Sequence, residues 1–163
     1  MRAVLRAGLL HLAGENFRAA VGKGGLAREK REGDGATPIA TLPVRRVFYR
    51  ADRLARPTAR VLVEPIAPQD GWCDDPNHRD YNKFVTLPHE GRHEELWRRD
   101  GVYDLIGVLG WNDAPVVRHR GSAIFLHVAR PDFEPTEGCV ALALPDLLRV
   151  LAMGLTEIEI PPG

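Results

Sequence analysis

The stretch HVARPDFEPTEGCVAL (127–142) decides how this chain is read. It sets His127 ahead of Cys139, with the turn-forming residues Pro131, Pro135 and Gly138 between them. His127 ends the apolar run AIFLH, where an imidazole is unexpected unless something uses it. Cys139 follows Gly138 and leads into VALALPDLLRVL, which puts it near a predicted helix start. Partial positive charge there would lower a thiol pKa, and backbone N–H groups there could hold an oxyanion. Gly138 permits close backbone approach or an unusual dihedral just before the sulfur. The prolines and Gly138 can fold the loop back, so that His127 and Cys139 meet as base and nucleophile. The bland reading is two buried residues, since cysteine is often a small apolar core residue. Residue chemistry alone leaves both readings open.

Outward from this stretch, YDLIGVLGWN (103–112) and GSAIFLHVA (121–129) read as near-continuous apolar strands, central in a sheet. LPDLLRVLAMG (144–154) carries Leu144, Leu147, Leu148 and Leu151 at helical spacing, with Gly154 as the stop. TEIEI (156–160) alternates as a strand, and 41–50 and 59–67 are rich in strand formers. VLRAGLLHLAG and NFRAAVG suggest a hairpin about Gly14-Glu15, and HEELWRR (93–99) suits a short helix. Residues 23–38 and 68–92 are polar, irregular stretches of the kind that often carry function. The order predicts a mostly-β or α+β single domain over 1–163; crossover helices for a doubly wound fold are missing.

Lys+Arg and Asp+Glu balance at 22 each, so net charge gives no argument for nucleic acid. Residues 1–60 hold thirteen basic and five acidic side chains, which a solvated face explains as well as an anionic partner. Two cysteines, Cys73 and Cys139, make no disulfide framework, and no apolar run is long enough for a membrane span. Arg6 and His11 interrupt what would be a signal-peptide core, so the N-terminus reads as strand and no export signal is visible.

On these residues the chain resembles the L,D-transpeptidase (YkuD-type) catalytic domain family, in which a strand histidine precedes a Ser/Thr-His-Gly-Cys segment. His127 matches the first element. In TEGCVAL, Thr136, Gly138 and Cys139 match the second, with Val140 and Leu142 at apolar tail positions. Glu137 stands where the family has a second histidine, Ala141 where a polar residue is usual, and the gap from His127 to Thr136 is short. KGGLAREKREGDGATPIATLPVRRV and WCDDPNHRDYN extend the resemblance over roughly 20–160, and the whole is similar to a compact proteobacterial branch associated with 1–3 cross-links.

The resemblance implies a β-sandwich-like domain with one main C-terminal helix next to the catalytic cysteine. It implies a peptidoglycan L,D-transpeptidase that makes 3–3 or 1–3 cross-links between stem peptides. Cys139 would be nucleophile, His127 general base and then acid, and the N–H of Cys139, with that of Gly138, the oxyanion donor. Thr136 would position the loop or touch substrate, and Glu137 would meet an incoming ammonium or remain a surface charge. Trp72, Tyr81 and Asn82 would line the substrate groove, and Lys30 or Arg31 would meet stem-peptide carboxylates. Asp74 and Asp75 could instead satisfy their own turn. A monomer is expected, with donor and acceptor stem peptides as partners, in the periplasm by the logic of its substrate. An L,D-carboxypeptidase, a non-catalytic peptidoglycan-binding module and an unrelated cysteine hydrolase are the alternatives.

No cofactor and no metal are expected. Cys73, His78, His89 and His93 are ligand types, but there is neither HExxH nor a paired CxxC, and Pro88 and Gly91 argue against one helix presenting His89 and His93. Cys73 reads as structural, unpaired with Cys139.

Overall fold

A computed structural model describes residues 1–163. Fourteen strands and one helix follow in chain order: β1 Arg2–Arg6, β2 Leu9–Leu12, β3 Glu15–Ala20, β4 Leu26–Ala27, β5 Thr37–Pro38, β6 Thr41–Tyr49, β7 Val63–Pro65, β8 Asp70–Cys73, β9 Lys83–Thr86, β10 His93–Glu95, β11 Leu105–Leu109, β12 Phe125–Val128, β13 Val140–Leu142, α1 Leu144–Ala152 and β14 Glu157–Glu159. The fold is β-rich α+β with a single helix near the C-terminus, as the sequence pattern predicts.

The main sheet runs β11-β12-β13-β3-β2-β1-β14-β6-β7, and β6 also pairs with β11. The long strand β6 takes β14 along Thr41–Pro43 and β11 along Val44–Tyr49, which closes eight strands into a ring. Closure leaves few free edges, the usual hazard of a sheet this size.

All five residues of β11 are buried because both of its faces are covered. Leu105 and Leu109 join Leu126, Val140 and Leu142 in the main core, where α1 lays Leu147, Val150 and Leu151. Ile106, Val108 and Phe125 face the other way, into a second apolar cluster with Trp72, Leu96, Tyr103 and Cys139. Over that face lies a small antiparallel sheet, β10-β8-β9. The sulfur therefore sits between the ring and the small sheet.

Two local expectations need correction. The first N-terminal segment is two strands: Arg6 pairs with Leu9 and Leu12 with Glu15, so two-residue turns fall at Ala7-Gly8 and Ala13-Gly14. All four turn residues have positive φ, as type I′ turns require. Alanine in place of the usual asparagine hid the first turn. Residues 93–99 form no helix. His93, Glu94 and Glu95 pair instead with Cys73, Trp72 and Gly71, because seven residues gain more from a waiting strand edge than from an isolated turn of helix.

Asparagine tolerates the left-handed conformation better than alanine. Ala13→Asn at this exposed turn is expected to raise unfolding free energy by about 0.5–1 kcal/mol in urea titration. A loss of stability would contradict the turn assignment.

Candidate active site

His127 and Cys139 reach one cavity through a parallel strand pair. β12 and β13 run parallel with Leu126 opposite Val140 and His127 opposite Ala141. Parallel neighbours need a long crossing connection, and residues 129–139 supply it. Alternation places the side chains of Phe125, His127, Cys139 and Ala141 on one face. His127, Cys139 and Ala141 line a single cavity of about 570 Å³.

The turn before the sulfur is locked. Thr136 Oγ1 donates to the Cys139 carbonyl at 2.6 Å and accepts the Gly138 N–H at 3.1 Å. Thr136 is itself held by its N–H to Val21 O at 2.9 Å and its carbonyl to Lys23 N–H at 2.8 Å. Gly138 has φ +130°, and a Cβ there would lie 2.8 Å from Ala36 O, so only glycine fits. Its N–H is committed to Thr136, which leaves the Cys139 N–H, bonded to nothing in the fold, as the available oxyanion donor. Thr136 thus shapes the turn as well as lining the cavity.

The expected helix-start activation of Cys139 is absent. β13 intervenes, and α1 begins only at Leu144. Sγ accepts the Phe125 N–H and donates to Ala123 O, both at 3.3 Å. Burial first, then the nearby Glu94 carboxylate, pushes the thiol up to about 12. His127 is 7% exposed, and burial pulls its imidazole down to about 4. Both groups are neutral near pH 7. The ring's Nδ1 lies 3.0 Å from Val128 O, a contact that only an Nδ1–H satisfies, so the Nε2 lone pair stays free. Tyr103 packs edge-on against His127, with centroids 5.5 Å apart, and donates its O–H to Glu94 Oε1 at 2.7 Å.

Trp72, Tyr81 and Asn82 are placed differently from the groove-lining expectation. All three are buried behind the cavity and commit their polar atoms to the protein. Asn82, with φ +57°, fills every position of its amide: Oδ1 accepts Trp72 Nε1–H and Ala123 N–H, and Nδ2 donates to Trp111 O and Asn112 O, at 2.8–3.0 Å. It fixes Ala123, whose carbonyl accepts a hydrogen bond from the Cys139 thiol. Tyr81 donates to Glu32 Oε1 at 2.8 Å and accepts the Gly121 N–H at 2.9 Å; its neighbour Ser122 donates to the same Glu32 oxygen at 2.6 Å.

From the two polar loops the cavity takes Lys30, Glu32 and Asp74. Arg31 is exposed and outside the lining; buried Lys30 takes the place expected of it and is paired with Asp34. Glu137 lines the rim, mostly exposed, 3.0 Å from Lys23 Nζ. Glu94, Arg98, Tyr103 and Arg130 also line the cavity and went unnoticed in sequence. Only Tyr103, an aromatic heading the β11 segment, gave a signal. Both cysteines are free.

Asn82→Ala strips partners from two buried donors at once. It should lower unfolding free energy by about 3 kcal/mol in urea titration. A loss below ~1 kcal/mol would show that the amide does not hold this wall.

Comparison with curated proteins and with solved structures returned no match, and no helix is long and apolar enough to cross a membrane. Residues 8–160, nearly the whole ring and both polar loops, match the family model YkuD, the L,D-transpeptidase catalytic domain. The chain belongs to that family of peptidoglycan-acting, cysteine-dependent catalytic domains.

Proposed function

We propose that this domain is a peptidoglycan L,D-transpeptidase with Cys139 as nucleophile and His127 as general base. The observation that carries the reading is the placement of both side chains on one face of adjacent parallel strands, in one cavity. As a stem peptide's scissile carbonyl reaches Sγ, neutral His127 accepts the thiol proton and the sulfur attacks the carbonyl carbon of the L-centre. The Cys139 N–H meets the oxyanion. The imidazolium, made acidic by burial, returns the proton to the nitrogen of the departing D-residue and leaves a thioester. The diaminopimelate amine of a second stem attacks that thioester, His127 takes its proton, and the thiol is restored as the 3–3 or 1–3 bond forms.

The lining suits such peptides, which carry carboxylates and an ammonium together. Arg130 offers a cation, while Glu134 and Glu137 offer anions at the rim where an acceptor amine would enter. The substrate places the enzyme in the periplasm, acting as a monomer on two stems.

Disaccharide-tetrapeptide muropeptides incubated with the protein and read by mass spectrometry should give dimers, with none from Cys139→Ala or His127→Ala. Fragmentation assigns the link. Release of the terminal D-residue without dimers would identify a carboxypeptidase instead, and no change with no adduct on Cys139 would reject catalysis on these substrates.

The pH profile carries a second expectation. His127 acts only when neutral, and its lowered pKa keeps it neutral down to about pH 4. Cleavage kcat/KM should therefore persist below pH 6 and fall through about pH 4, where an ordinary histidine would fail near 6.5. An acid limb centred near 6.5 would mean that the imidazole is not desolvated as described.

A further inference from the structure

Away from the cavity, the end of β8 and the two loops of the small sheet bring together three of the ligand-type residues that the sequence offers no single helix to present. Cys73 is the last residue of β8, His78 lies in the β8–β9 loop and His89 in the β9–β10 loop. One ligand atom from each lies within 4.8 Å of the others. His89 and His93 share no helix, but the trio needs none. Strand pairing assembles it: Lys83 and His93 flank Cys73 on either side, and the loops next to them carry His78 and His89.

We propose that Cys73, His78 and His89 hold one zinc-class divalent ion as a structural site, with Asp80 as the fourth donor. Asp80 Oδ2 is 3.0 Å from His89 Nε2 and 3.7 Å from His78 Nδ1. Ligands of a tetrahedral zinc stand roughly 3.4–3.8 Å apart, so the four groups need only a slight closing movement. One thiolate, two imidazoles and one carboxylate form a donor set zinc accepts, and four protein donors leave no position for substrate.

The surroundings are those of a ligand set. The Cys73 sulfur is fully buried and receives the Asp75 N–H, and Asp74, Asp75 and Asp80 crowd it with negative charge that a cation relieves. His78 Nε2 sits 2.9 Å from Glu90 Oε1, the kind of carboxylate partner that zinc-bound histidines usually carry, and Nδ1, which accepts the Asp80 N–H at 3.0 Å, would exchange that bond for the ion. His89 Nδ1 lies 3.1 Å from Gly91 N and 3.4 Å from Gly91 O, which lets that ring donate or accept as its other nitrogen requires.

The site has a mechanical purpose. β8, β9 and β10 span four, four and three residues, a sheet too small to hold itself firmly. An ion at Cys73–His78–His89 ties both of its loops to the end of its middle strand. That sheet carries Glu94 and is followed directly by Asp74, both of which line the cavity around Cys139.

The test is a cobalt titration of the full chain after dialysis against a chelator, followed by absorbance and by thermal melting with zinc added back. The expected result is one cobalt per chain with a thiolate-to-cobalt charge-transfer band, and a melting temperature that falls on chelation and recovers with zinc. Cys139→Ala should keep the band and Cys73→Ser should lose it. Should Cys73→Ser fail to fold, His89→Gln replaces it, and should weaken cobalt binding about tenfold or more. Absence of the band in the unaltered chain, or a band lost in Cys139→Ala and kept in Cys73→Ser, would overturn the proposal. So would cobalt affinity unchanged by His89→Gln.

Discussion

The parallel pairing of β12 with β13 is the constraint on which the rest of the site depends. An antiparallel partner could have joined β12 by a tight turn, with no room for Thr136, Gly138 and Cys139 to form a separate structure. A parallel partner requires the chain to travel back, and that return is the segment 129–139. It is pinned at Thr136 against Val21 and Lys23 and at Gly138 against Ala36. Because Leu126 faces Val140, the sulfur arrives level with Phe125 and receives its N–H. A shift of one residue would turn Cys139 to the main core and Val140 to the cavity.

That placement buries the Cys139 thiol and the His127 imidazole on the face between two layers, and burial sets their protonation. A thiol and an imidazole in a low-dielectric site both prefer to be neutral, which raises one pKa and lowers the other. On the proposed mechanism the fold holds a neutral thiol and a neutral base at rest, and charge appears only with the substrate that consumes it. The Val128 carbonyl settles the tautomer, and Ala123, fixed by Asn82, settles the direction of the thiol proton. These are backbone groups, which no side-chain substitution replaces directly.

Much of this was legible in the sequence, and the limits have physical causes. The apolar runs at 105–109 and 125–128, the leucine spacing of α1 and the glycine-cysteine turn announced themselves because each is a local pattern. Tyr81 and Asn82 read in the sequence as groove-lining residues, yet their side chains turn inward, and direction is a tertiary property. Glu94 was hidden inside a helix-like string that a strand edge captured. Cys73, His78 and His89 are legible in the sequence as ligand types, but their grouping depends on two loops and one strand end, which spacing along the chain does not fix.

Glu94 shows how the layers act together. It is half-buried, lines the cavity and accepts the Tyr103 hydroxyl, and desolvation holds its carboxyl above the usual range. Its negative charge is the second cause of the raised Cys139 thiol. Thiolate and carboxylate thus oppose each other across one desolvated space, with Lys30 engaged by Asp34 and Arg98 by Asp100. The thiolate forms at least cost when Glu94 carries a proton, and the burial that raises Glu94 moves it toward that state. The small sheet that covers the sulfur from water consequently also sets, through one carboxyl on β10, how readily that thiol ionises.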